Sequence, residues 1–326
     1  MKIIIPDDYT NTFKNSSHLE RLKSLGEVII HSTTIPDEQE AILRLQGAQV
    51  VAANRERTPF TRKVLESLPD LKLLSVTGPL FNNVDFQAAT ELGIVITRTP
   101  GSASRAVAEL VFGLMIAVFR GITRGDAAIR RGEWPALVGD QLDGKTLGII
   151  GVGNIGSIMA DIAKAFQMTT VAWGPFPSDR EQALKVGAKY LEKDELLKTS
   201  DVVTIHVRLS DVTRGMLGAR EIGLMKPTAV LINTSRGPVT DEKALIAALQ
   251  EGRLAGAGLD VFTKEPLPLD NPFNKLNNVV MTPHIGYTTT RVSALQAEWA
   301  IDNIEQYMAG KKPDVANPEV WEKRRT

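Results

Sequence analysis

The stretch Leu147 to Gly156, LGIIGVGNIG, decides the reading of the fold. Leu147, Ile149 and Ile150 have the apolar density of a buried strand, and the run from Ile155 to Phe166 has helical spacing. Gly151, Gly153 and Gly156 therefore fall in a strand-to-helix turn. A glycine triplet alone is common in loops that bind nothing; a strand before it and a helix after it make it specific. Gly151 suits the tight turn, Gly153 lets backbone approach a pyrophosphate, and Gly156 lets the helix pack on the strand. The start of the helix, at Asn154 and Ile155, then presents unpaired N–H groups to phosphates.

Working outward, 326 residues are enough for two domains, each with its own core. Lys plus Arg number 38 and Asp plus Glu number 38, so no net field favours a nucleic acid or an anionic membrane, and a small ligand is the expected partner. With no cysteine, disulfides, thiolate metal sites and a cysteine nucleophile are excluded together, and no metal site is expected. The opening MKIIIPDD is too short an apolar run for a signal peptide, and no stretch is long enough to span a membrane. A soluble, cytoplasmic protein is expected.

From Lys2 to Thr97 the apolar runs IIIP, EVIIH, AQVVAA, LKLLSV and GIVIT alternate with amphipathic segments such as His18 to Leu25 and Asp37 to Leu45. That alternation predicts a parallel sheet with crossover helices. One long helix is predicted from Ala103 to Arg131. A second alternating series then starts at the glycine turn and runs through MTTVAW, DVVTIHV, TAVLINTS, LAGAGLDVF and NVVMTPH. The expected architecture is α/β, with two doubly wound parallel-sheet domains. A helix from Thr288 to Met308 and the tail beyond it lie past the last strand and are expected to return to the first domain. The boundaries are 1–98 with 288–326 for that discontinuous domain, and 99–287 for the dinucleotide-binding domain.

A site for NAD usually has an acidic residue about 20 residues after the glycines, at the end of the next strand, to bond the ribose hydroxyls. Here that strand ends Val171, Ala172, Trp173, Gly174. Gly174 removes one barrier to NADP without supplying an attraction; Arg180 and Arg208 are either that attraction or solvated surface side chains. The cofactor is thus NAD(H) or NADP(H), with a lean to NAD. Three further loops follow strands: Asn233 to Gly237, Asp260 to Pro266, and Thr282 to Gly286. In an open parallel sheet, ligands sit outside the carboxyl ends of the strands, so these loops are placed to converge. They offer an arginine, two carboxylates and a histidine, enough to move a proton while holding an anion. Alone, His284 reads more readily as a structural side chain packed beside Pro283 than as a catalytic one, and His206 as the cap of a strand.

GVGNIG at 151–156, NTSRGPVTDEKAL from Asn233, GAGLDVFTKEPLP from Gly256 and TPHIGY from Thr282 together resemble the D-isomer-specific 2-hydroxy acid dehydrogenase family. The likeness covers nearly the whole chain. It implies a Rossmann cofactor domain, a flavodoxin-like discontinuous substrate domain, an active site in the cleft between them, and a homodimer formed through the cofactor domain. Carried over by position, the catalytic residues are Arg236, Glu265 and His284. Arg236 would bind the substrate carboxylate, His284 would exchange the proton at the C2 oxygen, and Glu265 would hydrogen-bond His284 and orient it. Gly151, Gly153, Asn154, Ile155, Gly156, Gly174, His206, Thr234 and Asp260 would contact the cofactor.

The resemblance also assigns substrate binding to backbone N–H groups of the loop TGPLFNN from Thr77, at Gly78, Pro79 and Leu80, and to Arg57. This loop departs from the family pattern, because Pro79 lacks an N–H and Leu80 and Phe81 add apolar bulk. Arg55 and Arg57 lie where some members meet a phosphate or second carboxylate, though a surface role is open. The implied reaction is hydride transfer between a nicotinamide cofactor and a small D-2-hydroxy acid and its 2-oxo acid, such as glyoxylate or hydroxypyruvate. The family also contains nucleotide-sensing corepressors and enzymes using formate or phosphite. The complete Arg236, Glu265 and His284 set, with Pro79 in the first-domain loop, argues against these alternatives.

Overall fold

The computed structural model describes residues 1–79 and 82–325. Two compact units are present, Met1–Ser102 with the segment from Thr288 onward, and Ala103–Tyr287. In the first unit β1 (Lys2–Ile5), α1 (Leu19–Ser24), β2 (Glu27–Ile30), α2 (Glu38–Leu45), β3 (Val50–Ala53), α3 (Arg62–Glu66), β4 (Leu73–Val76), α4 (Phe86–Glu91) and β5 (Val95–Thr97) alternate along the chain. All five strands are parallel, in the order β2-β1-β3-β4-β5. This is the flavodoxin-like winding, and it turns between β1 and β3. Parallel strands covered on both faces need continuous apolar runs, as β3 and β4 show by being buried at every position.

One face of this sheet packs against α2, α3 and α4 through Leu45, Val64, Leu65 and Ala88. The other meets α1 and the long helix Thr290–Met308 through Leu22, Ala297, Ala300, Ile301 and Ile304. After that helix the chain runs beside β5, where Ala316 N–H donates to Ile96 O (2.7 Å) and Ile96 N–H donates to Asn317 Oδ1 (2.9 Å).

The second unit begins with α5 (Ser104–Arg120) and α6 (Ile122–Arg130). A single helix was expected here. Gly121 takes φ +59° in the left-handed region and caps α5, so the chain bends by 64°. Then follow β6 (Thr146–Ile150), α7 (Asn154–Ala165), β7 (Thr169–Trp173), α8 (Pro177–Lys185), β8 (Lys189–Tyr190), α9 (Lys193–Thr199), β9 (Val202–Ile205), α10 (Ala219–Ile222), β10 (Val230–Asn233), α11 (Glu242–Gln250), β11 (Gly256–Leu259) and β12 (Val279–Met281). The seven-stranded parallel sheet has the order β12-β11-β10-β9-β6-β7-β8. It is the doubly wound Rossmann arrangement with one additional strand, and its direction reverses between β6 and β9. Helices cover both faces, α5 and α7 on one and α9 to α11 on the other. Among the described residues no single helix is long and apolar enough to cross a membrane.

Candidate active site and dinucleotide site

The glycine turn sits where the second sheet reverses direction. Gly151 has φ +90°, and a Cβ on it would lie 2.8 Å from Val207 Cγ1 and 2.9 Å from His206 O. The loops after β6 and β9 therefore touch at this glycine, and no side chain fits between them. A Cβ on Gly156 would lie 2.3 Å from Gly151 O, so α7 abuts the turn directly. Gly153 is different, because nothing lies within 4 Å of its Cβ position. It faces a cavity of about 610 Å³ lined by Gly151, Gly153, Asn154, Asp179, His206 and Arg208 among others. The first N–H groups of α7 have no partner inside their own helix. A helix start beside an open glycine and a cavity is a receptor for a pyrophosphate.

Of the expected cofactor contacts, Gly151, Gly153, Asn154 and His206 line this cavity, whereas Ile155, Gly156, Gly174, Thr234 and Asp260 do not. Thr234, at the end of β10, has a buried Oγ1 without a hydrogen-bond partner among the described residues. Such an orphan polar atom, with the vacant space at Gly153, is consistent with a dinucleotide along the strand ends. The His206 imidazole pairs with Thr204 Oγ1 (2.9 Å), and burial lowers its pKa to about 3, so it stays neutral. Of the two arginines singled out for NADP, Arg208 lines the cavity, whereas the guanidinium of Arg180 sits 5.5 Å over the Tyr190 ring.

β7 ends without an acid in the sequence, yet a carboxylate from α8 stands at its end in the structure. A Cβ on Gly174 would lie 2.1 Å from Asp179 Cγ, so the side-chain space at position 174 already holds the carboxyl group of Asp179. Asp179 is 7% exposed; its Oδ1 accepts from Val152 N–H in the glycine turn (2.8 Å) and its Oδ2 from Phe176 N–H (3.0 Å). Gly174 thus forms the floor on which Asp179 rests and lies outside the lining of the cavity. Sequence reasoning missed Asp179 by looking only at the strand end. The available signal was Pro177-Ser178-Asp179, a proline at a helix start with an acid at the third position.

The loops after β10, β11 and β12, adjacent strands, carry the arginine, carboxylates and histidine. A Cβ on Gly237 would fall 2.1 Å from the carbonyl carbon of Phe262, so the first two loops abut. Glu265 Oε1 accepts from Phe262 N–H (2.9 Å), which fixes the carboxylate, and Oε2 lies 2.7 Å from His284 Nδ1. Burial pushes the Glu265 pKa up, but the His284 and Phe262 hydrogen bonds and the charges of His284 and Arg236 together bring it below the ordinary value. The imidazole packs edge-on against Tyr287, and its Nε2 makes no hydrogen bond among the described residues. Arg236 is half-buried, with Nη1 donating to Ser235 O (2.8 Å), and Asn233 ties the loop through Arg236 O (3.0 Å).

Asp260 is 1% exposed and grips the histidine loop. Its Oδ1 accepts from Thr282 Oγ1 (2.6 Å) and Ile285 N–H (2.8 Å), and its Oδ2 from Gly286 N–H (2.8 Å). These donors flank His284, whose backbone sits at φ +54°, a strained conformation for a residue with a Cβ. Burial raises the Asp260 pKa, opposed by these three donors. The expected cofactor contact is therefore occupied in holding the loop.

In the first unit, Thr77 N–H donates to Ala53 O (3.0 Å), Gly78 N–H donates to Thr99 Oγ1 (2.7 Å), and Pro79 has no N–H. The Gly78 donor expected to hold a carboxylate is already committed. Leu80 and Phe81 lie outside the described residues. The Arg57 guanidinium stacks over the Tyr9 ring at 4.9 Å, next to buried Asp7, whereas the Arg55 side chain lies against Gly78, its Nη1 3.9 Å from the Cβ position there.

A reversing parallel sheet with an open glycine turn defines a dinucleotide-binding fold. Residues 112–286 match the family model described as D-isomer specific 2-hydroxyacid dehydrogenase, NAD binding domain. The chain is 41% identical over 269 residues to the glyoxylate reductase of Thermococcus litoralis, covering 79% of this chain and 81% of the relative. It is 37% identical over 314 residues to the D-3-phosphoglycerate dehydrogenase of Methanocaldococcus jannaschii, covering 95% of this chain but 58% of that longer protein. The crystal structure of phosphoglycerate oxidoreductase from Vibrio cholerae O395 superposes with a TM-score of 0.88 at 32% identity, covering 95% of this chain and 99% of that one. The chain belongs to the D-isomer-specific 2-hydroxyacid dehydrogenase family, oxidoreductases that act on a CH–OH group.

Proposed function

We propose that this chain reduces a small 2-oxo acid to the D-2-hydroxy acid, with glyoxylate and hydroxypyruvate as the substrate class, and that Arg236, Glu265 and His284 carry the chemistry. The observation that supports this most directly is the His284 Nδ1 to Glu265 contact of 2.7 Å, which leaves Nε2 free for a substrate oxygen. When bound, the dihydronicotinamide supplies the hydride that C2 accepts. Arg236 pairs its planar guanidinium with the substrate carboxylate and polarises the C2 oxygen. His284, protonated, gives its Nε2 proton to that oxygen as charge develops there. The Glu265 carboxylate, held by Phe262 N–H, fixes the ring and balances the imidazolium. With the Gly78 N–H spent on Thr99, Arg236 is the principal carboxylate anchor in this reading.

The assay is the fall in reduced-nicotinamide absorbance, with NADH and NADPH separately, against glyoxylate, hydroxypyruvate, phenylpyruvate and longer aliphatic 2-oxo acids. Turnover of glyoxylate or hydroxypyruvate is expected. Tight cofactor binding without turnover of any 2-oxo acid would overturn the proposal in favour of a nucleotide-sensing binding protein. The protein is further proposed to act in the cytoplasm as a homodimer formed through its cofactor domain. Trp134 and Val138 are 91% and 97% exposed in an extended stretch after α6, a surface that a second copy would cover. Sedimentation should give a dimer, and Trp134→Asp should yield monomers.

A further inference from the structure

We infer that Asp179 is the residue that selects the dinucleotide, its carboxylate receiving the adenosine ribose hydroxyls in place of the acid that β7 lacks. The inference rests on the assignment of the glycine turn to a dinucleotide. Its basis is positional, since Asp179 Cγ lies 2.1 Å from the point where a side chain at residue 174 would begin. The carboxyl group is therefore delivered from the first turn of α8 to the place where an end-of-strand acid would put it. Because the space is filled from the helix, position 174 has to be glycine.

The contacts of Asp179 leave it able to serve. Each carboxylate oxygen accepts one backbone N–H, from Val152 and from Phe176, and a carboxylate offers about four acceptor sites, so two remain. Two vicinal hydroxyls match two remaining acceptors. The partner of one oxygen, Val152, lies inside the glycine turn itself, so the charge is fixed relative to the pyrophosphate site rather than carried on a mobile side chain. A 2′-phosphate would bring a second anion against an anion that is 93% buried in its protein setting, and like charges so placed discriminate strongly. The burial follows from the 7% exposure of Asp179. Two cations also stand on the cavity wall. Lys185 pairs with Glu181 at 2.7 Å, and Arg208, in the loop after β9 across β6 from β7, shares the cavity wall as the cation whose effect the titration reads against that of Asp179.

The test is a fluorescence titration of the whole protein with NADH and with NADPH, beside NAD⁺ and 2′-deoxy-NAD⁺ competed against NADH. The wild-type chain should bind NADH about tenfold or more tighter than NADPH, and 2′-deoxy-NAD⁺ several-fold weaker than NAD⁺. Asp179→Asn removes the charge at nearly the same shape but sets its NH₂ against the N–H of Val152 or Phe176, so both cofactors should weaken, NADH by more, bringing the two to about threefold of each other or closer. Equal loss of both cofactors in Asp179→Asn would show that the residue only braces the turn, and would overturn the proposal. So would wild-type preference for NADPH, or indifference to the 2′-hydroxyl, a comparison that needs no variant to fold. If the wild-type chain bound neither reduced cofactor, the dinucleotide assignment would fail with it, an outcome distinct from binding without discrimination.

Discussion

Replacing Asp260 with Asn tests whether one buried carboxylate holds the histidine loop. Asn is nearly isosteric but has one acceptor atom, whereas Asp260 satisfies Thr282 Oγ1 and Ile285 N–H on one oxygen and Gly286 N–H on the other. If the amide oxygen serves the first pair, its NH₂ faces the N–H of Gly286; if flipped, it faces that of Ile285. Either way one buried backbone donor is left opposite another donor, at a cost of about 1–3 kcal/mol. For a unit of this size that corresponds to a fall in melting temperature of roughly 2–12 °C. The same loss acts on His284, whose positive φ costs of order 1–3 kcal/mol and persists only while its neighbours enforce it. Releasing about 1.4 kcal/mol of that constraint would change the balance of loop conformers tenfold, so kcat should fall by about that factor with little change in cofactor affinity. Thermal unfolding and steady-state kinetics on Asp260→Asn measure the two effects. A variant melting within a degree or so of the wild type with unaltered kcat would refute the reasoning.

His284→Ala should lower kcat about 10²- to 10⁴-fold while NADH affinity measured by titration stays close to wild type, and unchanged kcat would remove His284 from proton transfer. Gly153→Ala should melt as the wild type does, since its Cβ meets nothing within 4 Å, yet bind NADH several-fold more weakly; unchanged binding would mean that the cofactor does not approach this backbone. Asp7 gives a pH dependence. It is fully buried, and burial raises its pKa from 3.8 to about 6. Between these values the folded state holds a proton that the unfolded state has lost, so stability falls as pH rises from about 4 to about 6 and is level above that. Two pKa units correspond to about 3 kcal/mol, so Asp7→Asn should gain up to that much on the wild type between pH 4 and pH 7, measured by urea unfolding; parallel curves would show that Asp7 is not the titrating group.

The sheets were legible because a parallel strand covered on both faces must be apolar throughout, and runs such as AQVVAA and TAVLINTS announce that directly. β8 was not, because a two-residue edge strand, Lys189–Tyr190, buries too little to leave a pattern. The break at Gly121 was hidden for the opposite reason. Apolar spacing continues across it, and only the left-handed backbone marks the end of α5. At the candidate site, Arg236, Glu265 and His284 were found as residues in loops after strands, and the contact between Glu265 and His284 follows from adjacent strand order. The partners of Asp260 and Asp179 were not foreseeable in that way. Each carboxylate bonds backbone N–H groups more than 20 residues distant, as Asp260 does to Ile285 and Asp179 to Val152, and backbone donors have no signature in sequence. Gly78 misled for the same reason, since its N–H is claimed by a threonine 21 residues later.

The lodging of Asp179 over Gly174 makes the two positions a single inherited unit. A mutation that placed any side chain at 174 would have to displace the carboxylate, and truncation of residue 179 alone would leave a hollow that glycine cannot fill. Neither step is neutral by itself, so a lineage that moves the acid back to the end of β7 must pass through a compromised turn or change both residues together. A library that varies only position 174 while keeping Asp179 sets every new side chain against the carboxylate already lodged there.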